Sequence, residues 1–214
     1  MYFVNRVDAG RKLAKLLQKY RGQDGVVLAL PRGGVPVAAE IARALQMPLD
    51  LVTARKVGHP GNQEYAIAAV TETGELAVNP DEVAEVDPGW FDRAVAAQRE
   101  EARRRHERYI GDRPAIPVAG RIAIVVDDGV ATGLTMRAAI MQTRKRKPGK
   151  LVLAVPVAPR DTAESLGQIV DEFIACDVPA MFMGAVGAYY QDFSQTTDEE
   201  VTALLAEMHA AGER

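Results

Sequence analysis

The chain has 214 residues, 48% of them hydrophobic, and 26 Lys and Arg against 29 Asp and Glu leave a net charge of −3. This length can bury a sizeable core without staples. The near balance of charge argues against nucleic-acid binding by bulk charge, and one cysteine, Cys176, excludes an intrachain disulfide or a cysteine metal cluster. The first ten residues lack the apolar stretch of a secretory leader, and the longest apolar runs are too short to span a bilayer, so a cytoplasmic protein with no membrane partner is expected.

Residues 6–20 place Leu13, Leu16 and Leu17 at helical spacing between charges, and Gly22, Asp24 and Gly25 end the pattern. Residues 26–30 form a short apolar run, read as a buried strand. Pro31-Arg32-Gly33-Gly34 follows as a turn, and 35–45 is predicted to be a helix with Pro36 in its first turn. Residues 49–54 read as a second buried strand and 55–63 as a polar loop. Two strands, 65–70 and 75–78, are predicted around a Thr73-Gly74 turn. Residues 87–110 form the longest helical stretch, with Trp90 and Phe91 as its anchors. A proline-containing connector, 113–117, leads to a third buried strand, 121–126.

A loop over 127–133 and a helix over 134–146 come next, then strands at 151–157 and 172–175 with a helix at 160–169 between them. Residues 178–195 carry aromatic and Met residues without clean periodicity and read as an irregular cap. Thr197 and Glu200 match a capping box that starts a last helix, 197–211. Buried strands alternating with helices imply an α/β fold with a central parallel sheet covered on both faces. One domain over 1–214 is expected, with a core at about 21–177.

The most informative stretch is I-A-I-V-V-D-D-G-V-A-T-G-L-T-M, residues 122–136. An apolar strand delivers two adjacent carboxylates, Asp127 and Asp128, to a loop of small residues that opens a helix. Free N–H groups at a helix start bind anions. Gly129 and Gly133 permit close backbone approach, and Thr132 and Thr135 offer hydroxyl donors. Carboxylates repel a phosphate, so they must serve another part of the ligand, and acceptors beside a phosphate suit sugar hydroxyls. The ligand implied is a sugar phosphate. No Walker A loop, Ser/His/Asp arrangement or H-E-x-x-H motif is present.

V-V-D-D-G-V-A-T-G-L-T resembles the signature that binds phosphoribosyl pyrophosphate in type I phosphoribosyltransferases. L-A-L-P-R-G-G-V-P-V-A resembles that family's first, pyrophosphate-contacting loop, and V-T-A-R-K-V-G-H-P-G resembles the segment opening its flexible lid. The resemblance runs over residues 28–195 and implies a central parallel sheet flanked by helices with a small C-terminal hood at about 178–196. It implies that Asp127 and Asp128 accept hydrogen bonds from the ribose hydroxyls and help hold Mg2+ through water. Gly129, Val130, Ala131, Thr132, Gly133, Leu134 and Thr135 would wrap the 5-phosphate. Arg32, Gly33 and Gly34 would meet the pyrophosphate, in a loop where the family often has a non-proline cis peptide. Arg55 and Lys56, taken to follow a strand at the ligand-facing edge, would neutralise the leaving group, with His59, Pro60 and Gly61 in the mobile lid.

The activity implied is transfer of the phosphoribosyl group from phosphoribosyl pyrophosphate to a small-molecule acceptor, by a homodimer. A regulatory protein that only binds this ligand, or a same-fold enzyme for another sugar phosphate, are the alternatives. Ala131 stands where the 6-oxopurine branch carries an aspartate, which leans away from hypoxanthine or guanine. Phe182, Tyr189 and Tyr190 are equally readable as a stacking platform for a base and as hood core. The charged runs 103–108 and 144–147 read as solvated, salt-bridged helix faces, and Cys176 as inert core.

Overall fold

A computed structural model describes residues 2–111 and 113–212. Five parallel strands form the central sheet, in the order β2-β1-β6-β7-β8. They are β1 (Gly25–Ala29), β2 (Leu49–Leu51), β6 (Ile122–Val126), β7 (Lys150–Val157) and β8 (Glu172–Asp177). β1 pairs with β2 on one side and with β6 on the other, Ala29 opposite Leu51 and Val126. Successive side chains of a strand point to opposite faces, and here both faces are covered. Val27, Ala29, Ile124 and Val126 pack with α1 (Arg6–Leu16), α2 (Gly34–Leu45) and α7 (Asp198–Gly212). Val26, Leu28, Ala123 and Val125 pack with α5 (Leu134–Lys145) and α6 (Arg160–Gly167). The parallel sheet expected from the apolar runs is therefore present, and β1, β6 and β7 after Lys150 are apolar for this reason.

The strands expected at 65–70 and 75–78 around the Thr73-Gly74 turn are present and pair antiparallel, whereas the stretch 49–63 departs from the expected pattern. The run 49–54 is not one strand: β2 ends at Leu51 and Ala54 already belongs to a second sheet. The polar loop expected over 55–63 is instead a hairpin, β3 (Ala54–His59) and β4 (Asn62–Thr71), joined antiparallel to β5 (Leu76–Val78). One face of this sheet rests on α5 through small residues, Ala54, Ala69, Ala77 and Ala138. The other packs Val57, Ile67 and Val70 against Phe91 and Val86, near the start of α4 (Pro88–Ile110). The tip of the hairpin, 59–65, is largely solvated, so β3 lacks the apolar run that marks the central strands. α3 (Pro80–Ala84) links the sheet to α4.

Helix ends follow their capping residues. Asn5 accepts from Asp8 N at 3.0 Å to start α1, and Asp87 accepts from Trp90 N at 2.7 Å to start α4. The capping box of α7 is formed in both directions, Glu200 N to Thr197 Oγ1 at 3.1 Å and Thr197 N to Glu200 Oε2 at 2.7 Å. The run 144–147 has tertiary partners rather than a purely solvated face: Lys145 Nζ lies 2.8 Å from Glu75 and Arg146 Nη2 donates to Ile116 O at 2.6 Å.

Glu72, at the end of β4, ties the second sheet to α5 and α4. Gln142 Nε2 donates to its Oε1 at 2.7 Å, and His106 Nδ1 lies 3.6 Å from the same oxygen. Glu72 Oε2 and Gln142 Oε1 are buried and make no hydrogen bond among the described residues. Burial raises the Glu72 carboxyl above its ordinary value, opposed by Gln142 and His106. A raised folded-state pKa gives stability that is full below the unfolded value and is lost as pH rises through the folded one. A proton on the buried Oε2 removes an uncompensated charge, and an amide carries none at any pH. Glu72→Gln is therefore expected to match wild type near pH 4 and to exceed it by about 1 kcal/mol at pH 8. Thermal melts at the two pH values check this; a pH-independent difference refutes it.

Candidate active site

The strand order reverses between β1 and β6: the chain leaves β1 toward β2 on one side and leaves β6 toward β7 on the other. Such a switch point opens a crevice at the carboxyl ends of the strands, where open α/β sheets bind ligands. Two loops meet there. β1 leads through Arg32 and Gly33 into α2, and β6 leads through Asp127 and Asp128 into α5. The two helices begin at Gly33 and Gly133 with no side-chain cap. The first N–H groups of a helix have no partner within it; at α2, Gly34 N and Val35 N donate to Leu30 O and Arg32 O at 3.0 and 3.1 Å, so the start of α5 is the one that offers its donors to the crevice.

Close approach fixes the residue types. A Cβ on Gly33 would lie 2.0 Å from Asp128 Oδ2 and 2.6 Å from its Cγ. Gly133 has φ +81°, which favours glycine, and turns the loop into α5. The Pro31–Arg32 peptide bond is cis. Within the second loop, Val130 N donates to Val157 O at 3.0 Å, and Thr162 Oγ1 donates to Ala131 O at 2.8 Å. Gly129 lies beneath Val186. Thr132 is exposed, and Leu134 and Thr135 open α5.

Asp127 and Asp128 point differently. Asp127 Oδ1 accepts from Asp128 N at 2.8 Å. Asp128 Oδ2 accepts from Arg6 Nε at 2.8 Å, with side chains only 12% (Arg6) and 15% (Asp128) exposed. Burial, then the adjacent Asp128 charge, pushes the Asp127 carboxyl well above its ordinary value. Burial raises Asp128 as well, and Arg6 opposes that. Asp128 is thus the member of the pair with a cationic partner.

Arg6 escaped the sequence reading because its partner lies 122 residues away and nothing distinguishes it from the other charges of α1. Its Nη1 also donates to Ser194 O at 2.6 Å, and its guanidinium lies 4.0 Å from the Phe193 ring centre. It therefore joins α1, the acid pair and the segment that caps them. That segment, 178–195, is irregular apart from a 3-10 turn, Val186–Tyr189. Tyr189 and Tyr190 are not a free platform: both are buried with Phe3 and Val157, and Phe182 stacks on Tyr189 with ring centres 5.3 Å apart. Tyr190 OH donates to Asp128 O at 2.5 Å. The hood-core reading of these rings is the right one. Cys176 packs below them, its thiol pushed up to about 11 by burial.

Arg55 and Lys56 do not follow a strand; they lie within β3, where alternate residues face opposite sides. Arg55 turns toward α4, its Nε donating to Gln98 Oε1 at 3.2 Å, and burial lowers its pKa. Lys56 turns outward to Glu64 Oε2 at 2.7 Å. His59 accepts from Gly61 N at 3.0 Å at the hairpin tip. Tyr65 is exposed and donates to Glu82 at 2.8 Å. Arg32 Nη1 reaches Asp198 Oδ1 at 3.5 Å. The fold thus gathers Arg32, Gly33, Gly34, Asp127, Asp128 and residues 129–135, and leaves Lys56 on the solvent side.

The family model described as "Phosphoribosyl transferase domain" matches residues 5–192. A Mycobacterium tuberculosis protein provisionally named a phosphoribosyl transferase is 44% identical over 209 residues, 97% of this chain and 47% of that protein. The chain thus spans about half the length of the curated relatives it matches. The crystal structure of the protein TT1426 from Thermus thermophilus is 46% identical, with a TM-score of 0.81 over 97% of this chain and 99% of that one. Among the described residues no helix is long and apolar enough to cross a membrane. With a double-aspartate loop at the switch point of a five-stranded parallel sheet, and a match over residues 5–192, the chain belongs to the phosphoribosyl transferase family.

Proposed function

We propose that the chain transfers the 5-phosphoribosyl group of phosphoribosyl pyrophosphate to a nitrogenous base or related acceptor, releasing pyrophosphate. The observation that carries this is the contact of the two loops: Gly33 lies against Asp128, so the turn after β1, the start of α5 and the acid pair face one crevice. The N–H groups at the start of α5, with Thr132 and Thr135, take the 5-phosphate. Asp127 and Asp128 take the ribose hydroxyls. Arg32, Gly33 and Gly34 receive the pyrophosphate, with Arg55 on its hairpin side. At the anomeric carbon the bond to the pyrophosphate oxygen breaks as the bond to the acceptor forms. Positive charge grows on the sugar and negative charge on the leaving group, so placement and fixed dipoles supply the protein's contribution.

The donor set fits magnesium: two carboxylates are hard oxygen donors, and a Mg2+ ion takes few of these beside water and substrate phosphates. Asp127 and Asp128 would hold it through water, and when bound it would neutralise pyrophosphate charge. A ligand-binding regulator is favoured by one observation, that Tyr189 and Tyr190 fill the hood's own core. Calorimetry with phosphoribosyl pyrophosphate and Mg2+ tests the binding. Wild type is expected to bind and the Asp127→Asn, Asp128→Asn double variant to lose binding. Equal binding by both sinks the assignment of the acid pair, and pyrophosphate release on adding candidate bases separates enzyme from regulator.

A further inference from the structure

The face of α4 that carries Gln98, Glu101, Arg105, Arg108 and Tyr109 repeats at helical spacing, so these residues form one stripe. At one end Gln98 holds Arg55 of the hairpin. At the other, Tyr109 OH and Arg108 both bond Asp198 at the start of α7, and Asp198 is the carboxylate that Arg32 reaches. The Tyr109 hydroxyl is pushed up to about 12, first by burial and then by Asp198, so it stays a donor. Arg105 lies between these ends, its Nε held 2.7 Å from Glu101 Oε1.

The charge along this stripe does not balance. Arg104 and Arg105 share Glu101, and Arg32 and Arg108 share Asp198, with Arg108 also 3.4 Å from Glu199. Arg55, half-buried, has no carboxylate partner among the described residues. Guanidinium groups gathered in excess of carboxylates repel one another and favour a multivalent anion, which they bind with planar, paired hydrogen bonds. Burial and, after it, the charge of Arg105 depress the pKa of Arg55; Glu101 opposes this and Arg32 adds to it. Arg32 belongs to the loop assigned to pyrophosphate.

We propose that Arg105 of α4 is a third guanidinium contact for pyrophosphate, closing a wall with Arg32 and Arg55, and that Asp198 and Tyr109 act as positioning residues for Arg32. This rests on the phosphoribosyltransferase reading and adds α4, a segment outside every motif that carried it. The charged run 103–108 is then divided. Arg103, with 58% of its side chain exposed, pairs with Glu100 in solvent, whereas Arg105, at 26%, faces the hairpin stripe.

The test uses the full chain, titrated separately with inorganic pyrophosphate plus Mg2+ and with ribose 5-phosphate. Arg105→Gln is expected to weaken pyrophosphate binding about tenfold, the size of one lost charge-assisted contact, with ribose 5-phosphate unchanged. Arg105→Lys should retain part of the affinity, and Arg103→Gln all of it. Unchanged pyrophosphate affinity in Arg105→Gln overturns the proposal. So does an equal loss of both ligands, which is the mark of a structural role and would accompany a lowered Tm. Wild type binding ribose 5-phosphate but not pyrophosphate also overturns it and leaves the phosphate loop standing. Wild type binding neither overturns the phosphoribosyltransferase reading itself.

Discussion

Gly33→Ala is expected to abolish binding of phosphoribosyl pyrophosphate while leaving the central sheet folded. The added Cβ would fall 2.0 Å from Asp128 Oδ2 and 3.2 Å from Arg6 Nε. No rotation of a methyl relieves that overlap. Either the Asp128 carboxylate leaves Arg6, or the turn between β1 and α2 draws back from the loop after β6. Overpacking of this kind costs about 1–3 kcal/mol, and a displaced buried carboxylate that loses its counter-ion costs about 3–5 kcal/mol. Both routes misplace the carboxylates proposed to accept from the ribose hydroxyls, so affinity should fall by about a hundredfold or more, the equivalent of about 3 kcal/mol. Gly89→Ala is the control: it lies in the first turn of α4, and its nearest neighbours would be 3.4 Å away or more. It should leave binding unchanged. Calorimetry on the two variants decides the matter, and retained affinity in Gly33→Ala would show that the loops can separate without harm.

Arg6→Met should be the most damaging single change outside the loops of glycine and aspartate. It removes the counter-ion of Asp128, the bond to Ser194 O and the stacking on Phe193 in one step. Leaving a buried carboxylate without its partner costs about 3–5 kcal/mol. The Asp128→Asn background removes the stranded charge, so Arg6→Met should cost less there, by about 1 kcal/mol or more. Arg6→Lys keeps the charge but not the planar group that spans carboxylate, carbonyl and ring, and should recover only part of the loss. Denaturant unfolding of the four members of the cycle measures the coupling. Strictly additive effects would mean that the ion pair holds nothing together.

What could be read from sequence follows the reach of local physics. The strands β1, β6 and β7 were visible because burial on both faces makes them nearly all apolar, and the helix start at Thr197 because its capping box acts within three positions. The loop 127–135 was legible because carboxylates, glycines and hydroxyls must be consecutive to surround one small ligand. The first strand and the tip of the hairpin, 54–63, were not, since a strand solvated near its tip has the composition of a loop. Its consequence was a misplacement of Lys56, whose partner is Glu64 across the turn. Arg6, Asp198 and the Arg105 stripe were hidden for a different reason. Each matters through partners far away in sequence, and a lone Arg or Asp on a helix carries no sign of that.

The cap is fastened to residues near the other end of the described chain. Phe3 N donates to Tyr189 O, Gln191 N to Phe3 O, and Asp192 N to Val4 O, each at 2.8–2.9 Å. With Arg6 bonded to Ser194, 188 residues away, the crevice is roofed by two distant stretches clasped together. Such a clasp has few local contacts to hold it when its distant partner lets go, so it can open as one unit well below the free energy of global unfolding. Amide protons of residues 189–192 should then exchange together with those of 3–4, through an opening that leaves the β6 and β7 amides protected. A nucleotide-sized ligand could enter by that opening, and the time it spends bound would be set by a clasp at the periphery rather than by the loop proposed to hold its phosphate.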